Sequence, residues 1–241
     1  FKGDSINKTK TLGDFLEDIK TERFVLSIVP TQELVAIMKQ RANHVQEIVQ
    51  SEKRFVAMLR NLDTYWKPKL EEEAIFDQTQ IHQIFLNIPS LLTLHQQFYE
   101  QLQMESPSFM SCLGGIFLAY ARKFEKTAGP FISVYNKIDT MIQSVNKGKV
   151  HAKLQRIIDQ NPDGLGQDFS AYYITPVQRY PRYLLLLRDV DKKTPAFHPD
   201  KQCLIRAISE INSANRYLDS FSRKIKQLTI MTNIQKLMPE F

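Results

Sequence analysis

Two small groups of residues hold most of this chain's scope for chemistry. Glu52 stands in a helical run whose apolar positions are Val45, Ile48, Val49, Phe55, Val56 and Leu59. At about 100° per residue it falls in the middle of that apolar stripe. Burying an ionised carboxylate without a partner costs several kcal/mol, so Glu52 is either paired inside the fold or the stripe emerges there to meet another molecule. The second group is Pro-Val-Gln-Arg-Tyr-Pro-Arg-Tyr at 176–183, where Arg179 and Arg182, three apart, share a helix face beside Gln178. Helix capping, salt bridges within a bundle or a solvated face would account for it. Planar guanidinium groups also suit bidentate recognition of acidic protein groups, and periodicity does not choose between these readings.

Covalent and cofactor chemistry has no candidate. The chain lacks the phosphate-binding GxxxxGK[ST], the dinucleotide-binding GxGxxG, the metalloprotease HExxH and the hydrolase GxSxG. Its five histidines, His44, His82, His95, His151 and His198, are scattered without metal-ligand spacing. We therefore expect neither cofactor nor metal. Two cysteines, Cys112 and Cys203, are too few for a disulfide framework, and residues 1–10 lack the order of a signal peptide. With no apolar run near the length of a membrane span, the sequence reads as an intracellular, cytoplasmic protein.

The elements that position these residues are helical. Only 8 glycines occur in 241 residues, few for hairpin-rich sheets, while Leu, Lys, Gln, Glu and Arg recur with amphipathic spacing. The spacing predicts a short capped helix over Thr11–Ile19, a long helix from about Glu33 to Trp66, and another from Asp77 or Thr79 to about Gln103 with Pro89 as a kink. It further predicts helices over Phe109–Lys126 and Phe131–Val145 on either side of Gly129-Pro130, and a short one over His151–Asp159. A helix opening at Thr175-Pro176 has Leu184–Leu187 buried all round, and a last long helix starts near Lys201. Six or more such helices make an elongated all-α bundle. The net charge of +6 lies beyond residue 40, since residues 1–40 carry six residues of each sign. Part of it gathers between Arg122 and Arg156, as a solvated face or a surface for anionic lipid.

At this point the chain resembles the Dbl-homology domain of Rho-family guanine-nucleotide exchange factors. That family's third block is matched by Thr175-Pro-Val-Gln-Arg-Tyr-Pro-Arg-Tyr-Leu-Leu-Leu-Leu187, followed by Thr194-Pro195 and His198-Pro-Asp200. The first block is similar to Glu47-Ile-Val-Gln-Ser-Glu-Lys-Arg-Phe-Val56, with Tyr65-Trp66-Lys-Pro-Lys-Leu70 at family-like spacing, and Ile84–His95 looks like the second-helix signature. Thr21-Glu-Arg-Phe-Val25 mimics the first block and makes Glu22 a rival to Glu52, but the spacing to Trp66 and Leu70 favours Glu52.

The resemblance implies a domain over 39–230, an N-terminal extension over 1–38 that folds on as a regulatory lid or an ordinary packing extension, and the start of a linker over 231–241 toward a pleckstrin-homology domain. It implies exchange without covalent chemistry, by stabilising the nucleotide-free form of a Rho-family small GTPase, with recruitment to the plasma membrane through the further domain. On this reading Glu52 contacts switch I and Arg182 engages switch II, Gln178 belongs to the same surface, Arg179 either joins it or holds the helices together, and Tyr183 is a further candidate. Asp219 occupies the position where the family usually has Asn, and an ionised Asp only accepts hydrogen bonds where Asn also donates. The competing readings are a helical scaffold or membrane-surface module, and a degenerate domain that binds a GTPase without emptying it. A nucleic-acid binder is disfavoured, because the basic residues are not interleaved with aromatics in a recognition motif.

Overall fold

The computed structural model describes residues 32–105, 107–145, 148–163 and 165–237, and within them the chain is helical with no strand. The Thr11–Ile19 helix and Glu22 lie outside the described residues.

Helix α1 (Gln32–Asn61) passes through a wide π-type turn at Leu62–Trp66 into α2 (Lys67–Glu72). Helix α3 (Gln78–Phe85) opens with a reciprocal capping box, in which Asp77 accepts from the Gln80 backbone N–H and Gln80 reaches back to the Asp77 N–H. Pro89 does not kink one long helix. It sits in the first turn of a separate helix, α4 (Ile88–Met104), where a missing N–H costs nothing. The opposite happens at Gly129-Pro130, because α5 (Gly114–Val145) is one helix that carries Pro130 inside it. Pro130 and Lys126 are both exposed, so the carbonyl that Pro130 leaves unpaired reaches water, while Ala128, Gly129, Phe131 and Ile132 are buried on the other side.

Helix α6 (Lys149–Asp159), the short α7 (Phe169–Tyr173), α8 (Thr175–Lys192) and α9 (Lys201–Leu237) complete the order. The sequence reading did not anticipate α7. Helix α9 continues through Leu237, so residues 231–237 are helical. At the helical rise, α9 extends about 55 Å. It packs along α5 and α8, while α1 packs against α4 and α8, around one continuous core.

One buried arginine ties the ends of four segments together. Arg41, fully buried on α1, donates to Thr194 Oγ1 at 2.9 Å, to the Phe109 and Ser111 carbonyls at 2.5 and 2.8 Å, and to Asp200 Oδ2 at 3.3 Å. Asp200 in turn accepts from the Leu113 and Gly114 N–H groups at 2.8 and 2.9 Å, capping the start of α5. Gly114 is needed there, because a Cβ would lie 2.4 Å from the Cys203 and Leu204 backbone. The His198-Pro-Asp200 loop motif is thus architecture. His198 Nε2–H donates to the Phe109 carbonyl at 2.6 Å and its Nδ1 accepts from the Asp200 N–H at 3.0 Å.

Only a neutral imidazole can make both of the His198 bonds. Burial, with Arg41 nearby, lowers the pKa of His198 against the opposing pull of the Phe109 carbonyl and Asp200. The folded state therefore binds a proton less readily than the unfolded chain, and stability falls as pH drops below the ordinary histidine range. The urea midpoint should decrease between pH 7.5 and 5.5, and a His198→Gln variant, less stable at pH 7.5, should lose most of that slope.

Candidate functional site

Three of the sequence-predicted site residues meet inside the bundle. Glu52 on α1 is 0% exposed. Its Oε2 accepts from Arg179 Nε and Nη2 at 3.1 and 2.5 Å and from the Tyr183 hydroxyl at 2.5 Å, while its Oε1 accepts from His95 Nδ1 at 2.8 Å. With Nδ1 donating, His95 Nε2 accepts from the Tyr180 hydroxyl at 3.0 Å. Arg179 also donates to Ser51 Oγ, and its guanidinium lies over the Tyr183 and Phe55 rings at 4.5 and 5.3 Å. Phe124 stacks on the imidazole at 5.3 Å.

The electrostatics follow from this geometry. Burial alone would push the Glu52 carboxyl up, but Arg179, His95 and the hydrogen bonds from His95 and Tyr183 together hold it below its ordinary value. Burial raises Tyr180 and Tyr183, which keeps both phenols protonated as donors. The cluster is a satisfied ion pair with its lone pairs occupied.

This corrects the placement that the resemblance implied for Glu52. A carboxylate with no exposed surface and with donors on both oxygens does not present itself to a partner. Of the two readings that the apolar stripe left open, the internal pair is the observed one. Arg179, 4% exposed, and Tyr183, 0% exposed, belong to the same interior network and are equally withdrawn from the surface.

Gln178, Arg182 and Asp219 are exposed. Gln178, Arg182 and Leu185 fall at i, i+4 and i+7 of α8, along one stripe. Leu185, expected to be buried, is 60% exposed and adds an apolar contact to that stripe. On α1 the matching stripe is Glu47, Arg54 and Met58 around the buried Ser51. Arg41 bonds Thr194 and Ser51 bonds Arg179, so α1 and α8 run antiparallel and Glu47 lies level with the Arg182 and Leu185 turns. Between the stripes lies a groove of about 350 Å³ lined by Arg54, Met58, Gln178, Arg182 and the α6–α7 loop residues Leu165 and Gln167.

Asp219 sits one turn beyond Asn215, whose amide donates to the Tyr180 carbonyl at 3.3 Å. Since α9 returns antiparallel to α8, Asp219 lies toward the Gln178 end. Sequence reasoning missed Glu47, five residues before Glu52 and therefore about 140° around the helix from it. Its side chain is 47% exposed, near His44 Nδ1 at 3.8 Å. Periodicity gave no reason to single out a carboxylate on the polar face of α1.

The bundle thus buries Glu52 against the third motif and turns Gln178 and Arg182 outward. Residues 44–219 match the family model described as the RhoGEF domain, and the chain belongs to that family. It is 30% identical over 195 residues to "Guanine exchange factor for Rac 30" of Dictyostelium discoideum, covering 79% of this chain and 12% of that protein. It is 30% identical over 188 residues to "Protein ECT2" of Mus musculus, covering 74% of this chain and 20% of that one. The chain therefore spans a small part of these curated relatives. Among solved structures, the PDZ-RhoGEF DH/PH domains in complex with GTP-gamma-S activated RhoA superpose with a TM-score of 0.75 at 18% identity, covering 89% of this chain and 61% of that one. The DH domain of FARP2 gives 0.66 at 17% identity, covering 86% and 99%. Both show the same all-α fold.

Removing one partner of the buried pair should act on stability. Glu52→Ala strands Arg179 and is expected to cost about 3–5 kcal/mol in urea unfolding. Glu52→Leu combined with Arg179→Met should recover a large share of that loss, giving a coupling energy well above about 1 kcal/mol in a double-mutant cycle.

Proposed function

We propose that this chain is the exchange module of a guanine-nucleotide exchange factor for a Rho-family small GTPase of the Rho or Rac type. One observation carries the reading: the family's third motif splits into a buried half, Arg179 and Tyr183, and an outward half, Gln178, Arg182 and Leu185, of which Gln178 and Arg182 line an open groove with Arg54 and Met58 of α1. The names of the relatives, one an exchange factor for Rac, and the RhoA complexes among the structural neighbours support the choice of partner.

In this reading the chain accelerates GDP release without covalent chemistry. It binds the nucleotide-free GTPase more tightly than the loaded one, and that difference in affinity is the source of rate. Arg182 and Gln178 engage switch II, with Leu185 supplying apolar contact. The switch I role that the resemblance attaches to the first block falls to Glu47, since Glu52 is enclosed. An exposed carboxylate there competes for the groups that hold the nucleotide and its Mg²⁺. Asp219 faces switch II as an acceptor only, which favours a slow or selective exchanger over a general one.

Release of a fluorescent GDP analogue from Rho- and Rac-type GTPases tests this. Arg182→Ala and Glu47→Ala should each lower the acceleration about tenfold or more, a loss of roughly 1.4 kcal/mol or more in transition-state stabilisation, with an unchanged melting temperature. Asp219→Asn should raise the rate. A folded chain that accelerates release from no GTPase would overturn the exchange reading. Retained GTPase binding would then mark a degenerate domain, and its absence a scaffold.

A further inference from the structure

At one end of the bundle α1 overhangs its neighbours. Arg41 bonds the α4–α5 loop at Phe109 and Ser111 and the α8–α9 loop at Thr194 and Asp200, so α4, α5, α8 and α9 all begin or end near its level. The α1 residues before it, from Gln32, extend about 13 Å further at the helical rise. They carry Leu34, Val35, Ile37 and Met38, each only half-buried, and Leu34 and Met38 continue the stripe of the buried Arg41 and Val45. The two loops leave more apolar surface at the same end. The Phe109 and His198 rings meet edge to face at 5.0 Å, and the sequence neighbours of that pair, Met110 and Phe197, are 59% and 72% exposed. Met104, the last residue of α4, is 76% exposed. Single apolar side chains in solvent are ordinary, but several from one helix and two adjoining loops mark a surface that a further segment covers.

We infer that this face is the docking site for residues 24–29 of the same chain. That run, Phe-Val-Leu-Ser-Ile-Val, is uncharged, apolar at every position but Ser27, and joined to α1 through Pro30 and Thr31. Val29 and Phe24 stand three and eight residues from Gln32, a reach of roughly 10–28 Å against the overhang of about 13 Å. The run therefore spans the distance back to Arg41 and the two loops, and Pro30, which disfavours helical backbone at Val29, allows the reversal. A tethered segment docks at an effective concentration on the order of millimolar, so modest apolar contacts suffice to hold it. The groove beside Arg54 and Arg182 lies about 20 Å further along α1. Docking at this end anchors the N-terminal segment without filling that groove.

Limited proteolysis of the whole 241-residue chain tests this, with mass spectrometry locating the first cut. Trypsin after Arg23 and chymotrypsin after Phe24 report access to the run. Phe197→Glu and Met110→Glu change exposed side chains and should each speed both cuts about tenfold, the scale of burying one large apolar side chain. Leu26→Glu should speed the tryptic cut equally, and Leu26→Glu combined with Phe197→Glu no more than either alone. Leu86→Glu, also at an exposed position but at the far end of α4, should leave both cuts at the wild-type rate. Global unfolding of a variant would open sites throughout the bundle, so the position of the first cut tells it apart from undocking. Equal rates in the wild type, Phe197→Glu and Met110→Glu would overturn the proposal. So would a wild-type dimer that Phe197→Glu makes monomeric, since a second copy would then be the occupant.

Discussion

The bundle depends on one buried charge pair. Glu52 and Arg179 come from α1 and α8, are 127 residues apart in sequence, and are sealed from solvent together with His95 of α4. Each would be prohibitive inside alone, and together they are tolerable only because nearly every lone pair and N–H around them is occupied. Three helices are thereby fixed in register by directional bonds rather than by apolar packing alone. A hydrophobic core tolerates small slides between helices, whereas a fork-shaped guanidinium on a carboxylate does not.

That constraint governs the surface above it. Arg179 and Tyr183 hold Glu52 on the buried face of α8, and Gln178 and Arg182, about 100° and 60° around the helix from Arg179 on the same side, stand at the edge where that face meets solvent. The same geometry turns Glu47 outward from α1 on the opposite side of Glu52. A rigid arrangement suits the differential affinity proposed for this chain, since contacts already in place before a partner arrives need no further ordering. The interior pair and the exterior stripe share a motif but do different work. Loss of exchange on mutating Arg179 would report a disordered scaffold, whereas the same loss at Arg182 would report a missing contact.

Much of the fold was legible because amphipathic period survives in one sequence. The long α1, the Thr175 start of α8 and the Lys201 start of α9 all appear where spacing and breakers put them. Proline was read less well because its effect depends on which way it faces. Pro89 begins a helix and Pro130 rides within one, and the second is tolerated since its orphaned carbonyl is on the wet side. Leu185 was hidden by three neighbouring leucines, as a run without polar residues carries no phase. The α1 carboxylates show the limit most clearly. An odd residue on an apolar stripe draws attention, and here the oddity marked architecture. Glu47, ordinary on its polar face, carried no periodic signal at all.

The two ends of α1 also differ in how their polar groups are settled, and the difference follows from where the helix loosens. Through Asn61 the ladder is regular and the buried Glu52 has donors on both oxygens. The π-type turn at Leu62–Trp66 then inserts extra girth, which swings the indole into the aromatic cluster of α7. Such insertions rotate every later side chain relative to the helix axis. Trp66 gains ring contacts on this course, while its buried N–H has no hydrogen-bond partner among the described residues. A helix of unbroken α-geometry would put another face of the residue-66 position against α7.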